Sequence, residues 1–167
     1  INNVVIKNAL ELFQGELIYL TPHTTCSSGV GEWDKAFAMH HKSLTLETER
    51  GDRAGIARQL GNLGCVHFER GELKEALEKH SKSLAIAREL DARAEVAEQY
   101  GNLGMVQLRL KEWEGALAMH HKSLAIAEEL GNRAGMAQQT EAIGLVFHSQ
   151  KKLPEAEEQL SDSLKIN

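Results

Sequence analysis

The sequence contains little cysteine and little proline. Among its 167 residues there are two cysteines and two prolines. Cys26 and Cys65 lack the C-x-x-C spacing of many metal and redox sites, and two thiols are too few for the disulfide framework of a small secreted domain. We therefore expect a reducing compartment, and a cytoplasmic location, for this chain.

The sequence also lacks a long apolar run, a basic stripe and a catalytic motif. No stretch approaches the roughly 18 apolar residues of a membrane-spanning helix. The net charge is −5 with both signs interspersed, which makes nucleic acid and anionic membranes poor candidates as partners. No Gly-rich phosphate loop, nucleophile elbow or well-spaced acid and base is present. These absences predict a protein that is not an enzyme, needs no cofactor and inserts into no membrane.

What the sequence does contain is a repeat of about forty residues. The segment ALAMHHKSLAI at 116–126 nearly duplicates AFAMHHKSLTL at 36–46. Small residues recur at this period along the chain without gaps, and such a period indicates stacked supersecondary units. The aligned positions include Ala36, Ala76, Ala116 and Ala156, then Ser43, Ser83, Ser123 and Ser163, and then Gly64, Gly104 and Gly144.

Each repeat has the pattern of two helices. Apolar residues from Leu73 to Ala87 fall at steps of three and four, as do those from Ala57 to Phe68, so each set lies on one helical face. Gly71 between the two sets predicts a short turn. The sequence therefore predicts an all-α chain of antiparallel helical hairpins. The second helices are expected at about 33–50, 73–90, 113–130 and 153–166.

The recurring small residues are expected to lie where helices meet. The repeated glycines and alanines leave room for a bulky neighbour on the facing helix. The repeated serines lack a positioned base and acid that would make them nucleophiles. We expect each serine hydroxyl to bond the carbonyl one turn back on its own helix.

The repeat resembles a known family. Residues 60–67 read LGNLGCVH and residues 76–80 read ALEKH, which resembles the tetratricopeptide (TPR) pattern, and YGNLG at 100–104 matches it more closely. The usual TPR has about 34 residues, so the repeat here is a longer form. That form, with text such as HHKSLAIAEELGNRAG, resembles the Pins/LGN polarity scaffolds and, less closely, the kinesin light chains. Over about residues 32–167, the resemblance implies a right-handed α-solenoid of stacked antiparallel helical hairpins.

The resemblance also implies where a ligand would bind. In such a superhelix the first helices line a concave groove, where residues are free to recognise a partner. Counting from the leucine–glycine pair gives the expected groove residues. They are Arg58, Asn62, Cys65, Phe68, Glu69, Glu98, Asn102, Met105, Leu108, Arg109, Gln138, Glu141 and Leu145.

Two asparagines are the strongest candidates among these residues. The amides of Asn62 and Asn102 could each donate to a peptide carbonyl and accept from a peptide N–H, which would hold a backbone whatever its side chains. A solvated or locally bonded asparagine is the alternative. The chain departs from the Pins/LGN pattern at Cys65, Met105 and Leu145, where that family typically has asparagine. This apolar row suits an apolar ligand face better than a carboxylate tail.

The expected function is that of a non-enzymatic scaffold. Its partner would be a protein that places a peptide or helical segment in the concave groove. The alternative is a structural module that self-associates through an uncapped C-terminal end. A third class, an enzyme or metal site, has the least support, because the histidines are poorly spaced for a metal.

The histidines fall at two kinds of position. His40, His80 and His120 occupy the repeat position that is usually aromatic, and we expect half-buried rings that fill space and bond a neighbour. His41 and His121 point about 100° away, so an adjacent pair cannot converge on one ion. We instead expect the stability to change near the histidine pKa, since the rings would titrate there.

Recurring arginines mark the junctions between hairpins. Arg53, Arg93 and Arg133 could pair with acidic groups of a ligand, or they could donate to carbonyls at a helix end.

The beginning of the chain departs from the repeat. Pro22 and the Thr, Ser and Gly residues of LIYLTPHTTCSSGV at 17–30 oppose a continuous helix. Val4 to Leu20 could instead form a helix that covers the first hairpin. We expect residues 1–31 to be a capping segment or a degenerate repeat, and residues 32–167 to be the repeat array. The start at Ile1 suggests a piece of a longer protein.

Overall fold

A computed structural model describes residues 30–166 of the chain. Nearly all of the predicted N-terminal segment 1–31 therefore lies outside the described residues. Seven α-helices and no β-strand occupy residues 30–166. The helices are α1 (Val30–Arg50), α2 (Arg53–Glu69), α3 (Leu73–Glu89), α4 (Arg93–Arg109), α5 (Trp113–Glu129), α6 (Arg133–Ser149) and α7 (Leu153–Ile166). None of these helices is both long enough and apolar enough to cross a membrane.

The helices form hairpins that stack in chain order. Helix α2 packs most closely with α3, α4 with α5, and α6 with α7, and each hairpin also packs on the one before it. The first helices α2, α4 and α6 contact one another in succession, whereas the second helices of the described part do not. The stack therefore curves with its first helices on the inner, concave side, which is the geometry of an all-α solenoid.

The junctions between helices share one backbone geometry. At the end of α1, Gly51 has φ +69°, the N–H of Gly51 bonds Thr48 O at 3.1 Å, and the N–H of Asp52 bonds Glu47 O at 2.9 Å. This pair of bonds is the Schellman motif, which satisfies carbonyls at a helix end. Asp91, at the glycine position of a later junction, adopts φ +52°, as short polar residues can.

Two of the following helices begin with a side-chain cap. Asp52 accepts a hydrogen bond from Gly55 N at 2.9 Å, and Asn132 accepts one from Gly135 N at 3.0 Å. Each cap satisfies a backbone N–H that has no partner within the helix.

The recurring serines link the two helices of each hairpin. The hydroxyl of Ser83 donates to Ala57 O at 2.8 Å, that of Ser123 to Ala97 O at 2.7 Å, and that of Ser163 to Ala137 O at 2.9 Å. The prediction of a bond one turn back on the same helix is wrong. The serines lie on the buried face of the second helix, and the alanine opposite leaves its carbonyl accessible to the hydroxyl.

Two recurring histidines fill the space that recurring glycines leave. A Cβ atom added to Gly64 would lie 2.7 Å from the ring of His80, and one added to Gly104 would lie 2.6 Å from the ring of His120. Both rings are more deeply buried than the predicted half-buried state, with 1% of each residue exposed. The equivalent His40 is half-buried, as predicted.

Each of these histidines also bonds a glutamine on the first helix of the next hairpin. The Nδ1 of His80 donates to Gln99 Oε1 at 2.9 Å, and that of His120 donates to Gln139 Oε1 at 2.9 Å. His40 and Gln59 repeat the contact at 3.0 Å. One ring therefore contacts its own hairpin through van der Waals packing and the next hairpin through a hydrogen bond.

The glutamines in turn bring successive first helices together. A Cβ atom on Gly61 would lie 3.1 Å from the amide of Gln99, and one on Gly101 would lie 3.0 Å from the amide of Gln139. Glycine at these two positions therefore lets the glutamine of the next repeat lie directly on the helix backbone. The resulting close spacing of α2, α4 and α6 shapes the concave side of the array.

The last described hairpin replaces this polar contact with an apolar one. Leu160 stands at the histidine position, and a Cβ atom on Gly144 would lie 3.1 Å from its side chain. Glu141 stands at the position of Gly61 and Gly101. The repeat therefore changes in composition at α6 and α7 while its backbone geometry is retained.

We expect Gly104→Ala to destabilise the array by about 1–3 kcal/mol, because the new methyl group would collide with the buried ring of His120. Thermal and urea unfolding followed by circular dichroism would measure the change. Gly115→Ala is the matched control, since its methyl group would meet only the end of the long Gln107 side chain, which can change rotamer, and alanine is the better helix former by up to about 1 kcal/mol. Equal stability of the two variants would contradict the packing described here.

Candidate ligand-binding cleft

A cleft of about 320 Å³ opens between the first helices α4 and α6, with α5 as its floor. Residues Glu95, Glu98, Asn102 and Met105 recur at steps of three and four on α4, so their side chains share one face. Gln138 and Ala142 line the facing side on α6. Small residues keep the cleft open and polar groups are placed along it. The floor and the remaining wall are formed by Ala94, Ala97, Gly101, His120, Ser123, Ala127, Asn132, Gly135 and Gln139.

Asn102 is the most unusual polar residue of the cleft. Only 8% of it is exposed, and its side chain makes no hydrogen bond to any residue in the range 30–166. A buried amide normally has at least one partner, because burying it without one costs free energy. The amide of Asn102 keeps some contact with solvent, so Asn102 is not a locally bonded asparagine, and its side chain opens into the cleft.

The cleft carries negative charge. Burial raises the pKa of the Glu98 carboxyl, and the neighbouring Glu95 raises it further. The side chain of Glu98 still reaches solvent, so the burial affects part of the group. No lysine or arginine lines the cleft, and neither glutamate forms an ion pair with a described residue. The two carboxyls therefore repel each other, and no cation of the described residues pairs with either.

The structure brings four of the predicted groove residues together at this cleft, namely Glu98, Asn102, Met105 and Gln138. The others are spread along the first helices. Arg58 and Arg109 are exposed, while Asn62, Cys65, Glu69 and Glu141 are partly buried. Whether any of these residues contacts a ligand remains a prediction.

Three predicted groove residues belong to the core instead. Phe68, Leu108 and Leu145 are 8%, 4% and 8% exposed. Phe68 packs against Ala76 and Val106, and Leu108 packs with Leu145 in the cluster of α4, α5 and α6. The prediction that their side chains are free for a ligand is wrong, because the contacts between hairpins cover them.

Arg109 is engaged by residues of the preceding repeat. Its guanidinium lies 5.1 Å from the ring centroid of Phe68. Burial raises the pKa of the Glu69 carboxyl, and the charge of Arg109 partly opposes this effect. In Glu141, burial alone raises the pKa of the carboxyl. The positive charge of Arg109 and the negative charge of Glu69 thus offset each other on this part of the groove.

The junction arginines are satisfied within the chain. Arg53 pairs with Glu89 and Arg93 pairs with Glu129, in each case from the start of the first helix to the end of the second helix of the same hairpin. The guanidinium of Arg133 donates to Ile166 O through Nε at 3.0 Å and through Nη2 at 2.6 Å. Arg133 thus confirms the alternative of a bond to a helix-end carbonyl, while the other two pair with acids of the chain itself.

Among the polar residues that line the cleft on α4, on α6 and at the junction before α6, the sequence did not predict Glu95, Asn132 and Gln139. A signal for the glutamine was available, because Gln59, Gln99 and Gln139 recur at the repeat period, each 19 residues after a histidine. Glu95 and Asn132 had no such signal, since their positions carry different residues in the other repeats.

The histidines do not form a metal site in the part of the chain that the structure describes. Within residues 30–166, no three His, Cys, Asp or Glu side chains lie close enough to hold an ion. Burial lowers the pKa of His80 to about 4, although the hydrogen bond to Gln99 favours the charged form. Burial likewise lowers the pKa of His120. Both rings are therefore neutral at neutral pH.

Comparison with known proteins agrees with this architecture. A family model described as tetratricopeptide repeat matches residues 26–89 and 95–167. Among solved structures, the crystal structure of BtubC (BKLC) from P. vanneervenii is similar, with a TM-score of 0.73 and 24% sequence identity over 81% of this chain. This chain spans 57% of the length of that one, and the likeness shows the fold alone. No curated protein matches the sequence.

We expect the array to lose stability as the pH falls from about 6.5 to about 4, because the unfolded chain takes up a proton on His80 that the folded chain excludes. Between about pH 7.5 and about pH 5.5 the loss from this one residue is about 1 kcal/mol. Urea unfolding at the two pH values would measure it. In His80→Gln the dependence on pH should weaken by that amount, whereas in the exposed-residue control His121→Gln it should not. An identical pH dependence in both variants would contradict the burial of a neutral ring.

Proposed function

Because the chain belongs to the tetratricopeptide repeat family, we propose that it is a scaffold that binds a peptide or helical segment of a partner protein in its concave groove. Repeats of this family generally mediate protein–protein interaction and are typically non-enzymatic. The single observation that carries the proposal is Asn102, a mostly buried residue whose amide bonds no residue in the range 30–166 and opens into the cleft between α4 and α6.

The cleft suits a peptide backbone. An asparagine amide can donate to a carbonyl and accept from an N–H of the same peptide, and Gln138 on the facing helix can do likewise. Met105 and Ala142 add apolar surface that adapts to a side chain of the ligand. A ligand in this position would therefore give Asn102 hydrogen bonds that no residue in the range 30–166 provides, and each such bond would contribute modestly to binding.

The resemblance of the sequence to a known family suggests a more specific role for the scaffold. The long repeat resembles the Pins/LGN polarity scaffolds, so we propose a related role in holding a partner segment, with Asn62 and Asn102 as the recurring polar contacts. Cys65 and Met105, which replace asparagine in that pattern, would favour a ligand with an apolar face. The sparse cysteine content supports a cytoplasmic location for this scaffold.

A second candidate function is self-association through α7. Leu164 is 55% exposed and Leu153 is 50% exposed. The equivalent of Leu164 in an earlier repeat, Leu84, is buried in a cluster with Val96 and Tyr100 of the next hairpin. Leu164 has no such cover among residues 30–166, so another copy of the chain could supply it.

Peptide selection tests the groove. A library of random peptides displayed on phage would be selected on the immobilised chain, and the enriched peptides would be synthesised and their Kd values measured. Asn102→Ala should weaken binding by about 5- to 30-fold, since one or two hydrogen bonds are lost. Ser81→Ala, an exposed change on α3, is the control. Enriched peptides that bind both variants equally would place recognition outside the cleft.

Light scattering over a range of protein concentrations tests self-association. If α7 pairs with another copy, the average mass should rise with concentration, and Leu164→Lys should abolish the rise because a charge in an apolar contact is costly. A monomer at every concentration would exclude this second function without affecting the first.

A further inference from the structure

We propose that the cleft between α4 and α6 binds a peptide segment through a cationic side chain, an arginine or a lysine, that lies against Glu95 and Glu98. This inference rests on the proposed function and names the chemistry of the ligand. The cleft is negatively charged, the amide of Asn102 opens into it, and this repeat differs from the others in its acidic residues.

The first argument is the uncompensated charge. Glu95 and Glu98 lie three residues apart on one helix, where like charges destabilise each other. The cleft contains no cation, and the two carboxyls have no ion pair with residues 30–166. A positive group of the ligand would remove the repulsion and would form charge-assisted hydrogen bonds with the carboxylates.

The second argument is the amide of Asn102. Its side chain lies one helical turn from Glu98 and opens into the same cleft, with 8% of the residue exposed. Arginine and lysine side chains carry several N–H donors and no acceptor. The amide oxygen of Asn102 can therefore accept a hydrogen bond from the same cation that the two carboxylates attract.

The third argument is that the repeat itself does not require these acids. The positions of Glu95 and Glu98 carry Gly55 and Arg58 one repeat earlier, and Gly135 and Gln138 one repeat later. Acidic residues are thus not needed for the packing of the hairpins. On the preceding repeat, by contrast, Glu69 has Arg109 nearby to offset its charge. Within the described groove, only the cleft between α4 and α6 has two acidic residues and no cation to offset their charge.

The size of the cleft agrees with one long side chain and the adjoining backbone. Its volume is about 320 Å³, which lies at the lower end of the range for small-ligand pockets, about 300–1,000 Å³. The alanines of its walls can cover the methylene stem of a lysine or arginine, since such stems pack on apolar surface while the charged end stays with polar groups.

The test starts from peptides selected on the immobilised chain at low ionic strength. We expect arginine or lysine at one fixed position of the enriched sequences. Each selected peptide would then be synthesised with that arginine replaced by citrulline, or that lysine by acetyl-lysine, which keeps the shape and removes the charge. Binding should weaken about tenfold or more.

The protein side of the same test uses two variants that change the net charge equally. Glu98→Gln should weaken binding of the cationic peptide about tenfold, whereas Glu158→Gln, an exposed change on α7, should leave it unchanged. Thermal unfolding would verify that Glu98→Gln is folded, and Glu95→Gln provides a second variant if it is not.

The possible outcomes are distinct. If selected peptides lose binding in Asn102→Ala but carry no cation, or if the neutral analogues bind as well as the charged peptides, the cationic ligand is excluded and the peptide-binding function stands. If Glu98→Gln binds the cationic peptide unchanged, the charge is recognised elsewhere and this inference fails. If no peptide is enriched at all, the proposed function itself fails.

Discussion

The architecture depends on the contact of an imidazole ring with a glycine backbone. His80 and His120 lie against Gly64 and Gly104 of their own hairpins and donate to Gln99 and Gln139 of the next. The ring is large enough to fill the space between three helices and polar enough to require a partner there. Packing within a hairpin and stacking between hairpins are therefore fixed by the same side chain.

The polar contacts of the core also determine the character of the concave side. The glutamines that accept from the histidines lie on Gly61 and Gly101, and this brings the first helices close together. On the neighbouring face of α4, Asn102 is mostly buried between two first helices, while Glu98 lines the same cleft and remains exposed to solvent. The cleft is thus a product of the stacking, and its charge comes from residues that the stacking does not use.

Much of the fold could be predicted from the sequence, and less of the site could. Apolar spacing and the forty-residue period were sufficient to predict the hairpins, because both reflect local helix geometry. The serine hydroxyls were assigned to the wrong carbonyls, because residue spacing within one helix does not reveal a hydrogen bond to a different helix. Phe68 and Leu108 were assigned to the groove because counting positions along a helix shows which way a side chain points. It does not show that the next hairpin packs over that side chain.

The succession of contacts has a consequence for folding. Each helix of the described array touches only helices that are one or two places away along the chain. Contacts of such short sequence separation form rapidly, because little chain entropy is lost before they are made. Opening can likewise begin at one hairpin and spread to its neighbours, as in a linear array of coupled units. The protection of backbone amides from hydrogen exchange would then vary along the chain instead of having one value for the whole array.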